Sequence, residues 1–258
     1  MSDFDRNAQV WGAGRAQQTS AVEMDQGLRS FMLGVYNNMS IGLAITGLMA
    51  IGISMLAIAG YSPSGKVTAL TPLGQALYLS PLKWVVMLAP LAFIFFFSFK
   101  AESMSSSTAR AMFFAFAAVM GISLSSIFVV FTGESIAKVF FITAASFAGL
   151  SLFGYTTKKS LSGIGSFLIM GLIGLVIASV VNIFLASSAL SFAISVIGVL
   201  VFAGLTAWDT QRLKEMYLYS DLDSESAAKL SVNGALSLYL NFVNMFQMLL
   251  SLFGSKQE

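Results

Sequence analysis

The sequence predicts an all-α integral membrane protein, a bundle of seven transmembrane helices. Of its 258 residues, 57% are hydrophobic and 10% are charged, whereas soluble proteins average roughly 45–50% and 25%. Seven apolar stretches reach or approach the roughly 20 residues that a helix needs to cross a bilayer. These runs are apolar on all faces and lack the period-two alternation of a transmembrane β-strand. The spans are therefore expected to be helices.

The chain begins with a polar segment, residues 1–24, in which we expect a disordered cytoplasmic tail. This segment carries too little apolar surface to offset the entropy of ordering, and it lacks the apolar core of a secretory signal peptide. A single membrane domain is expected over residues 25–254, followed by a short tail, 255–258. Its spans are predicted near residues 31–59, 83–99, 109–132, 135–155, 163–186, 189–210 and 232–254.

Two of these spans need separate justification. The second is short and contains Pro90, and only Ser187 and Ser188 separate the fifth from the sixth. An apolar run of roughly forty residues is twice what one crossing needs, so two helices are predicted there. Small residues spaced by four, such as Gly121 and Ser125 in the third span, predict close helix packing.

Lysine and arginine predict the orientation, because cytoplasmic loops hold an excess of them. The cations divide ten to four between the two sides, which predicts a cytoplasmic N-terminus and, with seven spans, a C-terminus outside. The ten are Arg6, Arg15, Arg29, Lys100, Arg110, Lys158, Lys159, Arg212, Lys214 and Lys229, and the four are Lys66, Lys83, Lys138 and Lys256.

Composition also excludes several function classes. The net charge of +2 provides no basic field for nucleic acid. With no cysteine and no histidine, the chain has no thiol nucleophile, no imidazole base and no usual zinc or haem ligand, so no cofactor is expected. Asp221, Asp223 and Glu225 alternate as in a calcium loop, but Ser226 and Val232 replace its glycine and final glutamate. We therefore expect a solvated cytoplasmic loop there, with no fixed metal.

One carboxylate, Asp209, lies within an apolar span, towards the predicted cytoplasmic end of the sixth helix. An ionised aspartate at a helix centre costs about 2.5–3.5 kcal/mol on insertion scales, so an intramembrane acid indicates function. The alternative is an interfacial aspartate whose exposed partners are Arg212 and Lys214, one turn further on.

Other polar residues could accompany Asp209. Asn241, Asn244 and Gln247 follow one face of the last span, where they could form a polar site or simply hydrogen-bond between helices. Lys100 ends the second span, and its long stem could reach an acid on a neighbouring helix or extend to the interface.

The last two spans resemble the Bax inhibitor-1 family, and in particular a bacterial member. The likeness is carried by Trp208-Asp209-Thr210-Gln211, by Gly234-Ala-Leu-Ser-Leu-Tyr-Leu-Asn241-Phe-Val-Asn-Met-Phe and by the closing Leu-Phe-Gly254. Gly27-Leu28-Arg29 and Gly154-Tyr155-Thr156 also fit, so the resemblance covers residues 25–254.

This resemblance implies a seven-helix bundle whose last helix is central and wrapped by the other six, in a bacterial inner membrane. It also implies a pH-sensitive calcium leak, in which two aspartates of the sixth and seventh helices share a proton. Asp209 matches the first, whereas Asn241 replaces the second. Lys100 is the nearest match to an arginine that contacts the acids in the closed state, and Asn244, Gln247 and Gln211 would be supporting polar residues.

Four functions follow from these observations, in decreasing order of support. The first is a calcium or cation leak through the lipid bilayer with transient passage near Asp209. The second is a membrane interaction protein that conducts nothing and regulates another membrane protein or a protease, and the third is a proton-coupled cation antiporter. An enzyme ranks last, because neither a metal-ligand set nor a nucleophile with its base can be assembled in the spans.

Overall fold

The computed structural model describes residues 3–62, 66–100, 103–220 and 222–257, with side chains from residue 24 onward except that of residue 98. The helices are α1 (Asp3–Ala57), α2 (Pro72–Tyr78), α3 (Leu82–Lys100), α4 (Ser106–Leu124), α5 (Ile127–Val130), α6 (Gly133–Thr156), α7 (Ser162–Leu185), α8 (Ser188–Tyr219) and α9 (Ser224–Phe253). Strands β1 (Ile58–Tyr61) and β2 (Val67–Leu70) pair as an antiparallel hairpin between α1 and α2.

Among the described residues, six helical segments are long and apolar enough to cross a membrane, and α2 with α3 adds a seventh if this bent pair is one span. The pair bends by 62°, and the break contains Pro81, whose ring disfavours a helical conformation in the preceding Ser80. Pro90 lies inside α3 without ending it. The all-α membrane fold predicted from the sequence is confirmed.

Two segments differ from the predicted pattern. The hairpin of β1 and β2 was not predicted, because its four-residue strands are too short to show a period in the sequence. The polar segment expected as a loop between the last two spans is largely helical, since α8 continues to Tyr219 and α9 begins at Ser224. Charged residues such as Lys214 and Glu215 are good helix formers, and leaving the apolar layer does not end a helix.

The N-terminal segment also differs from its prediction. Helix α1 begins at Asp3, where a disordered tail was expected over residues 1–24. Alanine and glutamine, frequent in this segment, favour a helix without needing an apolar face. The side chains of residues 3–23 lie outside the described part of the structure, so the start of the membrane domain stays a prediction.

Helix α9 forms the centre of the bundle, and its side chains are the most completely buried. Leu238 and Tyr239 are 0% exposed, and Met245 and Leu250 are 1% exposed. Helices α1, α4, α6 and α8 pack around α9, while α3 packs mainly on α4 and α7 mainly on α8. The central last helix implied by the resemblance is present, with four helices around it and α3 and α7 further out.

Both ends of α9 are tied to neighbouring segments. At its start, Glu225 accepts hydrogen bonds from the backbone N–H (2.6 Å) and the hydroxyl (2.8 Å) of Ser106 in α4. Beyond its end, the Gln257 side chain accepts from the Val67 N–H of the hairpin at 2.8 Å. It also donates to the carbonyls of Phe128 and Phe131 at 3.0 Å. Because the hairpin follows α1 directly, the C-terminal tail lies at the end of the bundle where α1 finishes.

The predicted close packing at Gly121 is confirmed. A Cβ atom added at Gly121 of α4 would lie 2.5 Å from the Thr46 carbonyl oxygen of α1, which is closer than any real contact. The two backbones can approach this far only because the residue is glycine. Thr46 uses the same approach, since its hydroxyl lies 2.8 Å from the Ala117 carbonyl and 2.6 Å from the Tyr239 hydroxyl.

Candidate functional site

Asp209 of α8 and Asn241 of α9 are in direct contact. The Asn241 Nδ2 atom donates a hydrogen bond to the Asp209 Oδ2 atom at 2.7 Å. Asn241 is 5% exposed and Asp209 is half-buried. The donor has to be the amide nitrogen, because an ionised carboxylate only accepts. The sequence predicted both residues as site residues, and the structure brings them together.

The site lies towards one end of the bundle. Asp209 is ten residues before the end of α8 at Tyr219, which is about 15 Å along a helix. Tyr217, near the same helix end, stacks on Phe31 near the start of the apolar part of α1, with ring centroids 4.7 Å apart. The part of α1 around Phe31, the end of α8 and the start of α9 therefore share this end of the bundle, which is the predicted cytoplasmic end.

The two cations that could have paired with Asp209 have other neighbours. The Arg212 guanidinium lies over the Trp208 ring, 5.2 Å from its centroid. The Lys214 ammonium donates to the Tyr155 carbonyl at 2.8 Å and lies 5.3 Å from the centre of the same residue's ring. Among the described residues, the hydrogen bond found for Asp209 is the one from Asn241.

Gln211 has a different position from the one expected of a supporting polar residue. Its Oε1 atom accepts from the Leu161 N–H at 2.7 Å, and its Nε2 atom donates to the Lys159 carbonyl at 2.9 Å. Gln211 is 5% exposed. It therefore fastens the link between α6 and α7 to α8, rather than turning towards Asp209.

The remaining predicted site residues are not gathered at the carboxylate. Asn244 donates to the Leu240 carbonyl of its own helix at 2.8 Å, and Gln247 is half-buried three residues further on. Lys100 is exposed at the end of α3, a helix that packs on α4 and α2. The structure does not bring Lys100 to Asp209, because α3 is in the outer part of the bundle.

A chain of hydrogen-bonded hydroxyl groups lies next to Asp209 and was not predicted from the sequence. The Tyr36 hydroxyl of α1 lies 2.5 Å from the Ser151 hydroxyl of α6, which lies 3.0 Å from the Thr210 hydroxyl of α8. Thr210 donates in turn to the Thr206 carbonyl at 2.8 Å. Thr206 and Thr210 are four residues apart, a spacing visible in the sequence, but nothing in the sequence shows which helices they meet.

The acidic segment before α9 has a structural use in the described residues. Asp223 caps α9 by accepting from the Ser226 N–H at 3.1 Å, and hydrogen bonding from the side chain and then the backbone of Ser226 lowers the pKa of Asp223. Glu225 is engaged by Ser106, and Asp221 lies outside the described residues. The part of the chain that the structure describes contains no group of three or more residues suited to hold a metal ion.

Comparison with known proteins places these features in a family. The family model described as "Inhibitor of apoptosis-promoting Bax1" matches residues 28–258. An uncharacterized protein of Caulobacter vibrioides is 46% identical over 272 residues, covering 100% of both chains. The inner membrane protein YbhL of Escherichia coli strain K12 is 40% identical over 240 residues, covering 92% of this chain and 97% of the relative. The chain belongs to the Bax inhibitor-1 family of membrane proteins.

Proposed function

We propose that this protein is a pH-sensitive calcium or cation leak of the bacterial inner membrane, and that protonation of Asp209 controls it. The observation that carries the proposal is the 2.7 Å hydrogen bond from Asn241 to Asp209. It joins the intramembrane carboxylate to the central helix of the bundle. A change in the charge of the Asp209 carboxylate therefore acts directly on the contact between α8 and α9.

The chemistry of this pair makes the contact sensitive to protons. Ionised Asp209 accepts from the Asn241 amide in a charge-assisted hydrogen bond, which is stronger than one between neutral groups. Protonation removes that charge and turns one carboxyl oxygen into a donor, so the bond weakens or the amide has to rotate to present its oxygen. Acidification is therefore expected to loosen α8 from α9 and to increase flux.

One carboxylate limits how sharp such a switch can be. The free energy linked to burying a single aspartate charge is about 2.5–3.5 kcal/mol on insertion scales. Moving a two-state equilibrium from 1:99 to 99:1 needs about 5.5 kcal/mol. The flux of this protein should therefore rise gradually with acidity.

The bundle offers few oxygen ligands, and a small number of ligands suits the passage of calcium better than its storage. Calcium in a binding site usually has six to eight oxygen ligands, whereas the described residues near the contact offer one carboxylate, amide oxygens and hydroxyls. A permeating ion has to enter readily and leave readily, so weak coordination is compatible with conduction.

The proposal is tested with purified protein in liposomes that contain a trapped calcium dye. Asp209→Asn should flatten the dependence of calcium influx on pH between pH 5 and 8. The matched control is Glu215→Gln, which removes a half-buried acid from the same helix six residues further on and should leave the dependence unchanged. An unchanged pH profile in Asp209→Asn would remove Asp209 from the mechanism.

The same measurement weighs the other functions. Wild-type liposomes that take up calcium no faster than empty ones would contradict the leak, and would favour a protein that regulates a membrane partner without conducting. Calcium uptake that requires an imposed proton gradient, and stops when the gradient is dissipated, would favour a proton-coupled antiporter.

A further inference from the structure

A lateral groove separates α1 from α6 on the outside of the bundle. Its first part has a volume of about 630 Å³ and is lined mainly by one face of each helix, with Phe242 of α9 at its base. A second hollow of about 340 Å³ continues it between α1, α4 and α6. The two parts share Leu43, Phe140 and Phe242, so they form one continuous groove.

The groove is as long as the hydrocarbon layer is thick. Along α1 it extends from Arg29 to Ile51, which is about 33 Å at the rise of an α-helix, against a layer of about 30 Å. About two thirds of its lining residues are leucine, isoleucine, methionine, phenylalanine or alanine. In a membrane, such a groove opens towards lipid, and its shape and polarity suit an acyl chain.

The end of the groove that lies towards the predicted cytoplasmic side is cationic. Arg29 lines this end, is exposed, and has no ion-pair partner among the described residues. Tyr155 lines the same end, and its carbonyl binds the Lys214 ammonium at 2.8 Å. Arg29 and a tyrosine at the border of an apolar groove match a phosphate headgroup above an acyl chain.

Two of the polar groups deeper in the groove are already paired with each other. The hydroxyls of Tyr36 and Ser151, which line it, bond to each other. Among the residues the structure describes, Arg29 at the headgroup level is the one charged side chain that lines the groove, and the deeper lining is mostly apolar. A ligand that fits has one anionic end and a long apolar remainder.

We propose that the groove between α1 and α6 binds one anionic phospholipid, with its phosphate at Arg29 and an acyl chain lying over Phe147, Phe140 and Phe242. Asp209 does not line this groove, and the proposal does not depend on whether the protein conducts ions. Charge complementarity selects the anionic lipid, because a zwitterionic headgroup offers Arg29 no net charge.

Native mass spectrometry of the full chain in detergent tests the site, with phosphatidylglycerol or phosphatidylcholine of identical chains added. The wild type should retain phosphatidylglycerol preferentially. Arg29→Gln should lower its binding about fivefold, the value of one cation at a membrane surface, and leave phosphatidylcholine unaffected. The charge control is Arg110→Gln, an exposed cation at the start of α4, which should change neither lipid.

A second pair of variants tests the apolar part. Ala148→Trp fills the groove and should lower the binding of both lipids, whereas Ala145→Trp, also exposed on α6 but outside the groove, should not. Equal retention of the two lipids by the wild type, or equal effects of Arg29→Gln and Arg110→Gln, would overturn the proposal. A lipid-free dimer that Ala148→Trp dissociates would instead make a second copy of the chain the occupant.

Discussion

Replacing Asn241 by aspartate should convert a graded proton response into a steeper one. Asn241→Asp puts a second carboxylate where the amide now lies 2.7 Å from Asp209. Two unit charges about 4 Å apart repel by about 4 kcal/mol at an effective dielectric constant of 20. That energy lowers the population of the doubly ionised pair by roughly a thousandfold, so the two residues share a proton and titrate in coupled steps.

The assay is calcium influx into dye-loaded liposomes at closely spaced pH values. For Asn241→Asp the midpoint should move towards neutral pH, and the slope should exceed that of the wild type. Asn244→Asp is the matched control: it adds a carboxylate one turn away on the same helix, at an amide that donates to the Leu240 carbonyl of that helix. It should keep the wild-type midpoint.

Two outcomes would refute this reasoning. If asparagine and aspartate at position 241 give the same midpoint and the same slope, the two positions are not coupled. If Asn244→Asp shifts the profile as far as Asn241→Asp, the effect comes from added negative charge in the bundle and not from the contact with Asp209.

Three further predictions concern the architecture. Gly121→Val should abolish the yield of folded protein, because a Cβ atom at this position would lie 2.5 Å from the Thr46 carbonyl oxygen. Gly174→Val should fold, because no atom lies within 4 Å of a Cβ atom added there. Size-exclusion chromatography compares the two yields, and equal yields would contradict the close approach. Gln211→Leu should cost about 1–3 kcal/mol through two lost hydrogen bonds, seen as a lower Tm with faster proteolysis near Lys159. Reporter fusions should place the N-terminus in the cytoplasm and the C-terminus outside, and finding both on one side would remove one crossing.

The sequence was sufficient to predict the membrane helices, because the bilayer imposes one length and one polarity on every span. It was insufficient where that constraint ends. The hairpin after Ala57 lies beyond the first span, and the ends of α8 and α9 continue as helices through polar residues. Helix boundaries outside the apolar layer depend on propensity and on contacts with other segments, and only the first can be judged from the sequence.

The candidate site was predictable in part. Asp209 is identifiable from its position in an apolar run, but its contact with Asn241 was implied by the family resemblance, since spacing along two separate helices does not fix their rotation. The hydroxyl chain from Tyr36 through Ser151 to Thr210 depends on three helices packing in register. For the same reason, Gln211 could be identified as polar and buried, but not as the residue that fastens the link before α7.

The attachments at the two ends of α9 determine which part of the bundle can move. Glu225 holds one end to α4, and Gln257 holds the other to the hairpin and to the turn before α6. Sliding or tilting α9 would break both sets of hydrogen bonds at once, so these hydrogen bonds resist movement of the central helix. A movement that separates Asp209 from Asn241 is therefore expected in α8 rather than in α9, and α7, which packs mainly on α8, should move with it.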